Sequence, residues 1–198
     1  MKLGGIDLKK IVFIILILLL LISCQKTKKI NNENNELSNV QSKTITDNNI
    51  DREFKISTKI NSEYEQVIVD ELRIDINGNF DQLNKLTYEK ISPGVISNSE
   101  ESFSNGYGAK EISIDYIKTY ENIEDLYQDE KNIPYGLEET YAEHEKSKII
   151  FIIYNYTNTE KSMSDHVMYN NNGAVSQYYI VSEIEDKLLV TYAEFTGN

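Results

Sequence analysis

The fold is decided by the stretch Lys148-Ile149-Ile150-Phe151-Ile152-Ile153-Tyr154-Asn155-Tyr156, which is apolar at consecutive positions. Successive side chains of a strand point to opposite faces of the sheet, so a strand that is apolar throughout has both faces covered. The stretch therefore predicts a central strand, with helices over one face and a cavity or a partner over the other.

Residues 61–76, upstream of this strand, show the period of an amphipathic helix. Their apolar residues recur at spacings of three and four. The stripe consists of Tyr64, Val67, Ile68, Leu72 and Ile76. Asn61 or Ser62 is the candidate N-cap, because short polar side chains accept hydrogen bonds from the first helical amides. Residues 72–76 also alternate, which leaves a strand as the alternative at the end of this segment.

The remaining segments complete a pattern of helices followed by strands. The spacing of Phe80, Leu83 and Leu86 predicts a second, shorter helix that ends before Pro93-Gly94. Alternating residues predict strands at 109–120, 175–184 and 187–195, with a turn at Glu185-Asp186 and a short helix near 123–130. This order predicts an α+β domain with an antiparallel sheet over residues 58–198.

Composition excludes several classes of protein. The 198 residues include 32 acidic and 20 basic side chains, for a net charge of -12, which argues against nucleic acid as a partner. A single Cys excludes a disulfide scaffold and a zinc site built from cysteines. With only two His, a metal site rich in His is also disfavoured.

The first 24 residues have the parts of an export signal. Basic residues precede an apolar run from Ile11 to Ile22, which is followed by Ser23-Cys24. At about 1.5 Å per residue the run reaches roughly 18 Å as a helix, short of the about 30 Å hydrocarbon core of a bilayer. The segment is therefore expected to be a signal peptide rather than a membrane-spanning helix.

The end of this run resembles the bacterial lipoprotein signal. The matching residues are Leu21-Ile22-Ser23-Cys24, an aliphatic residue, a further aliphatic residue, a small residue and then the only Cys of the chain. The resemblance implies that residues 1–23 are removed, with Leu21, Ile22 and Ser23 serving in signal recognition. It also implies that Cys24 carries a lipid that holds the protein on the extracytoplasmic face of the bacterial cell membrane.

Residues 24–57 are predicted to be a lipidated Cys followed by a disordered tether. This stretch is rich in Lys, Asn, Ser and Thr, and its isolated apolar residues cannot bury enough surface to offset the entropy lost on ordering. Most of the excess acidic charge lies beyond it, in residues 58–198.

The predicted domain resembles the nuclear transport factor 2-like superfamily. The resemblance rests on residues 64–87, YEQVIVDELRIDINGNFDQLNKLT, and on the closing hairpin 177–194, QYYIVSEIEDKLLVTYAE. It is more narrowly similar to an uncharacterised domain of small Gram-positive lipoproteins. The resemblance implies N-terminal helices packed on a strongly curved antiparallel sheet that together enclose a conical pocket.

Enzymes of this superfamily use an Asp base or an Asp–His pair inside the cone, often with a Tyr. The candidates here are Asp115 and Tyr116 on the first predicted strand, with His144 and His166 in loops. Asp115 is expected to point to solvent, because it alternates with the apolar side of its strand. Both His residues lie next to acidic residues, which is typical of a solvated surface. We therefore predict no catalytic set and no cofactor.

Residues 75–79, Asp-Ile-Asn-Gly-Asn, begin like the calcium loop of an EF-hand. The sixth position of such a loop is Gly and the twelfth is Glu, whereas this chain has Phe80 and Leu86. The segment is therefore predicted to be a turn between two helices. The acidic runs 125–130 and 138–145 lack any fixed ligand spacing, so no metal site is predicted.

The 14 Tyr residues invite comparison with sugar-binding surfaces, in which rings stack on sugar faces. Several of them fall at strand positions, where β-propensity and core packing account for them. The strand positions concerned are Tyr116, Tyr154, Tyr156, Tyr178, Tyr179 and Tyr192.

The leading functional hypothesis is a non-enzymatic lipoprotein whose domain binds a small apolar ligand or an envelope protein. One alternative is a small pocket enzyme, a hydrolase or isomerase using Asp and Tyr. Another is an envelope structural or immunity factor. A buried carboxylate beside a Tyr hydroxyl in a deep pocket would favour the enzyme.

Overall fold

A mixed sheet of six strands forms the centre of the domain. The computed structural model describes residues 41–47, 50–130, 133–166 and 172–196, all within one compact unit. The strands are β1 (Gln41–Asp47), β2 (Ile50–Ile56), β3 (Ala109–Tyr120), β4 (Ser147–Asn158), β5 (Gly173–Ile184) and β6 (Lys187–Phe195). They lie in the order β1-β2-β3-β4-β5-β6, so the doubly apolar strand β4 is interior, as predicted.

Neighbouring strands are antiparallel except for β2 and β3, which are parallel, with Phe54 opposite Ile112. The prediction of a wholly antiparallel sheet is thus wrong at this one pair. A parallel pair needs a long crossover connection, and the helical segment between β2 and β3 supplies it. The sheet is open, with β1 and β6 at its edges.

Helices pack on both faces of the sheet. They are α1 (Glu63–Asn77), a 3₁₀-helix (Phe80–Gln82), α2 (Leu83–Leu86), α3 (Pro93–Ser104), α4 (Ile123–Asp129), α5 (Leu137–Glu143) and α6 (Glu160–Ser164). The predicted helices at α1, α2 and α4 are confirmed, and with them the α+β class. The strand alternative at residues 72–76 is wrong, because these residues belong to α1.

Helix α3 was not predicted, because Pro93 was interpreted as the end of a helical segment. Proline has no amide hydrogen, so it is tolerated in the first turn of a helix, where that hydrogen would be unpaired anyway. Pro93 occupies this position here, and the Ser92 Oγ accepts a hydrogen bond from the amide of Val95.

The start of α1 is tied to β3 by a buried carboxylate. Ser62 is the N-cap, and its Oγ accepts a hydrogen bond from the amide of Glu65 at 3.2 Å. The Glu65 carboxylate accepts from the amide of Asn61 at 2.6 Å and from the Thr119 hydroxyl at 2.8 Å. These contacts fix the position of α1 across the sheet.

The two faces of the sheet have separate cores. On one face α1 packs against β2 to β6, with Ile68, Val69 and Ile76 fully buried. On the other face Leu126 of α4 and Leu137 of α5 cover residues of β3, β4 and β5. The expectation of a cavity or a partner over the second face of β4 is therefore corrected, since helices of the same chain cover its first half.

The prediction of a disordered tether up to residue 57 is wrong for its second part. Residues 41–56 form the hairpin β1–β2 at the edge of the sheet, and Arg52, Phe54 and Ile56 are buried. The apolar residues of β2 gain their cover from β3 and α1, which come later in the chain. The signal peptide 1–23, including Leu21, Ile22 and Ser23, lies outside the described residues, as do Cys24 and the rest of the predicted tether up to residue 40.

Within the described ranges, no helix is both long enough and apolar enough to cross a membrane.

Candidate functional site

A pocket opens between α1, α3 and the sheet, here called the α1–α3 pocket. It encloses about 20 Å³, room for about one water-sized group, and its mouth is open to solvent. It is lined by Asp75, Phe80, Ser99, Phe103, Tyr107, Gly108, Ala109 and Tyr156. Four of these residues are aromatic, and Asp75 is the one that carries a formal charge.

Asp75 lies in the last turn of α1, beside residues that pack on the sheet. Its neighbours Ile74 and Ile76 are buried, whereas Asp75 itself is half-buried and lines the pocket. Burial raises the pKa of Asp75 to about 6. Among the described residues, no side chain or amide donates a hydrogen bond to this carboxyl group.

A second carboxyl group, that of Glu71, lies one helical turn before Asp75. Its Oε2 atom is buried and has no hydrogen-bond partner within the described part of the chain. Burial, with a smaller contribution from the charge of Asp75, raises the pKa of Glu71 to about 8. Two carboxyl groups at this spacing in the interior favour the state in which at least one is protonated.

A layer of tyrosines on the sheet lies near these acids. Tyr154 and Tyr179 each donate a hydrogen bond to the Gln177 Oε1 atom, at 3.1 and 3.0 Å. Burial, followed by the charge of Glu71, raises the pKa of Tyr179 well above its ordinary value. The interior beneath α1 therefore combines the Glu71 carboxyl group and the Tyr179 phenol, both mainly neutral at neutral pH, with Asp75, which is mainly ionised there.

The wall of the pocket formed by residues 103–109 is held by Arg52 of the edge hairpin. The Arg52 guanidinium lies 4.0 Å from the centre of the Phe103 ring. It donates hydrogen bonds to the backbone oxygen of Tyr107, at 2.9 Å, and to that of Ala109. The segment that was predicted to be part of a tether therefore supports the pocket.

Gly78 sets the position of the Phe103 ring. It follows the last residue of α1 with φ +71°, in the left-handed region that favours glycine. A Cβ atom at this position would lie 2.5 Å from two ring carbons of Phe103. The absence of a side chain thus allows α3 to pack closely against the end of α1.

The structure does not bring the sequence-predicted catalytic candidates together. Asp115 is exposed, as predicted, and its neighbour Tyr116 is 41% exposed. The His144 ring is half-buried and contacts Tyr88 edge-on, with ring centres 5.5 Å apart, and His166 is exposed. None of these four candidates lines the α1–α3 pocket.

The EF-hand-like residues 75–79 form the end of α1 and the turn after it, so the prediction of a turn between helices is confirmed. In the described ranges no group of three or more His, Cys, Asp or Glu residues is placed to hold a metal ion. Asp75, the first of these residues, lines the α1–α3 pocket.

Core packing explains most of the Tyr residues singled out on strands. Tyr154, Tyr156, Tyr178 and Tyr179 are buried, whereas Tyr192 is half-buried. Of the strand tyrosines, Tyr156 also lines the pocket.

Sequence reasoning missed Glu71 and Asp75 as site residues. The available signal was their spacing of four on a helix whose neighbouring positions are apolar, which places both on one flank of α1. Comparison with known proteins adds nothing to this signal, because no protein-family model, curated protein or solved structure matches the chain. The function proposed below therefore rests on the chemistry of the pocket.

Proposed function

We propose that this protein is a bacterial lipoprotein, attached through Cys24 to the extracytoplasmic face of the cell membrane, whose domain binds a small ligand in the α1–α3 pocket. The observation that carries the binding function is the lining of that pocket, four aromatic rings around one carboxyl group. Ligand sites are typically concave and mostly apolar, with a few polar groups that fix orientation.

The resemblance to the nuclear transport factor 2-like superfamily agrees with this proposal. A long helix, α1, lies across one face of the sheet, and the pocket lies between helices and sheet. We propose that the sheet curves around this pocket as in that superfamily.

The size of the pocket limits the ligand. The space that the pocket encloses is about 20 Å³, enough for about one water-sized group. The occupant therefore inserts a small polar group, such as the head group of a larger molecule, and the rest of it lies in the open mouth.

An enzyme that transfers protons is the second candidate function. Asp75 has a pKa of about 6, close to neutral pH, where a general base is most effective. Binding is preferred because Glu71 and Tyr179, which would have to assist, do not line the pocket.

The test is to block the pocket with a large side chain at its rim and to measure whether small probes still bind. Ser99 is a half-buried lining residue on α3, whereas Ser97 on the same helix is exposed. We expect benzyl alcohol and benzylammonium, used as small aromatic probes at millimolar concentration, to shift the amide resonances of Phe103, Ala109 and Tyr156. Ser99→Trp should abolish these shifts and Ser97→Trp should preserve them. Shifts that persist in Ser99→Trp, or that map elsewhere in the wild type, would contradict the proposal.

A further inference from the structure

We propose that the ligand of the α1–α3 pocket is a small organic cation, an amine or ammonium group held between the Asp75 carboxylate and the surrounding aromatic rings. This inference rests on the proposed function, and it names the chemical class that the pocket would select.

The first argument is the unmatched charge of Asp75. The Asp75 carboxylate is half-buried at the wall of the open pocket, where it has lost part of its water, and none of the described residues donates a hydrogen bond to it. A ligand with an N–H donor and a positive charge would supply both a hydrogen bond and an opposite charge. An anionic ligand would instead meet a like charge in a partly dehydrated site.

The second argument is the aromatic lining. The negative faces of aromatic rings attract cations. The wall already shows this contact twice, because the Arg52 guanidinium lies over Phe103 and the Lys161 Nζ lies 4.7 Å from the centre of the Tyr107 ring. Phe80 and Tyr156 line the same pocket as Asp75 and complete its aromatic surface.

The third argument concerns the charge of the ligand. The titratable groups around Asp75 are Glu71 on the same helix, Tyr179 on the sheet, and Tyr107 and Tyr156, which line the pocket with it. The pKa of Glu71, about 8, and the raised pKa of Tyr179 keep both of these groups mainly neutral at pH 7. The Arg52 guanidinium is not a lining residue, and it donates hydrogen bonds to backbone oxygens of the wall. Among its lining residues the pocket therefore presents one formal charge, the negative charge of Asp75, which matches a monocation.

The experiment compares two probes of nearly the same shape, benzylammonium and benzyl alcohol, in titrations followed by amide resonances of the full domain. At pH 7.5 we expect benzylammonium to bind wild type at least tenfold more tightly than benzyl alcohol. Asp75→Asn should remove this preference and leave the two probes equal. Asp81→Asn, which removes an exposed charge on the adjacent 3₁₀-helix, should leave it intact.

A pH series adds a second readout. The preference for benzylammonium should decline as the pH falls below the pKa of Asp75, about 6. Urea unfolding serves to confirm that Asp75→Asn is folded, and its midpoint at pH 7.5 should be no lower than that of wild type, because a buried charge without a partner has been removed.

The outcomes separate the two proposals. Equal affinity of wild type for both probes, or a preference that survives Asp75→Asn, would overturn the cation while leaving the ligand-binding function in place. Shifts of both probes away from the pocket would overturn both proposals.

Discussion

Glu71 and Asp75 are acidic residues in a place where the chain could have used apolar ones. Both lie on the inner flank of α1, and burial raises the pKa of each. A buried carboxyl group without hydrogen bonds lowers the stability of the fold whenever it is ionised. Asp75 lines the pocket and Glu71 lies one turn before it, so the two acids lower the stability of the fold at the place where the proposed ligand binds.

Glu71 should make the protein less stable as the pH rises. Its pKa is about 8 in the folded protein against 4.5 for the free group, so the unfolded chain loses its proton first. Stability therefore falls between these two values, and the loss due to Glu71 from pH 5 to pH 7 is on the order of 2 kcal/mol. Glu71→Gln should flatten this dependence and raise the free energy of unfolding at pH 7, as measured by urea unfolding at both pH values.

Glu63→Gln is the matched control, because Glu63 is exposed at the start of the same helix. It should leave the pH dependence of the wild type unchanged. If Glu71→Gln and wild type lose the same stability between pH 5 and pH 7, the carboxyl group of Glu71 is not buried as described.

At the scale of elements, the end of α1 is where helix, turn and pocket meet. Gly78 ends the helix, the 3₁₀-helix follows, and the Phe103 ring of α3 packs over the glycine. The ring of Phe80 meets that of Phe103 edge-on, with centres 6.0 Å apart. A change at this glycine therefore affects both the end of the helix and the wall of the pocket.

Gly78→Ala should be more destabilising than Gly136→Ala. Both glycines have φ in the left-handed region, +71° and +83°, so each substitution carries a backbone cost of about 1 kcal/mol. A Cβ at Gly78 also collides with the Phe103 ring, whereas at Gly136 it meets nothing within 4 Å. Overpacking of this kind typically adds about 1–3 kcal/mol.

Chemical unfolding of the two variants measures this difference directly. Gly78→Ala should also weaken probe binding in the α1–α3 pocket, because Phe103 must move. Equal losses of stability in the two variants would show that the ring of Phe103 yields without cost.

The sequence alone predicts the elements whose apolar residues repeat at regular spacing without interruption. Helix α1 with its Ser62 cap, strand β3 and the turn at Glu185-Asp186 follow from the sequence, because each depends on neighbouring residues. Strand β2 does not, because Arg52 occupies a buried position that the alternation of apolar residues would assign to an apolar side chain. Its burial depends on the Phe103 ring and on backbone oxygens that lie about fifty residues later.

The candidate site could not be predicted from neighbouring residues, for the same reason. In the sequence, Asp75 is the first residue of a calcium-like loop. The residues next to it in the chain do not indicate a pocket. Its surroundings come from α3 and from Tyr156 of β4, which are distant in sequence. A side chain's pKa and hydrogen-bond partners depend on such tertiary contacts.

At the scale of the whole molecule, we propose that a lipid on Cys24 anchors an acidic domain that begins no later than residue 41. Stable anchoring needs more than one acyl chain, because each buried CH₂ contributes about 0.8 kcal/mol and a single chain binds only marginally. A diacyl group on Cys24 would meet this requirement without any membrane-spanning helix.

Cys24→Ala should lose both lipid and membrane attachment. Cells that express the full chain can be fed an alkyne fatty acid, and wild type should then take up label and remain in the membrane fraction. Ser23→Ala is the matched control, since Ala is also small and should preserve recognition of the signal. Label retained by Cys24→Ala would refute lipid attachment at this residue.

The parallel pairing of β2 with β3 has a consequence for the order of folding. Strands β5 and β6 are joined by a two-residue turn and can pair as soon as both exist, whereas Phe54 and Ile112 meet only after the long helical crossover between them has closed. The entropy of loop closure rises with the length of the loop, and pairings between distant residues form slowly. During synthesis the hairpin β1–β2 leaves the ribosome before its partner strand β3 is made, so its apolar residues lack their cover until the crossover helices and β3 have followed.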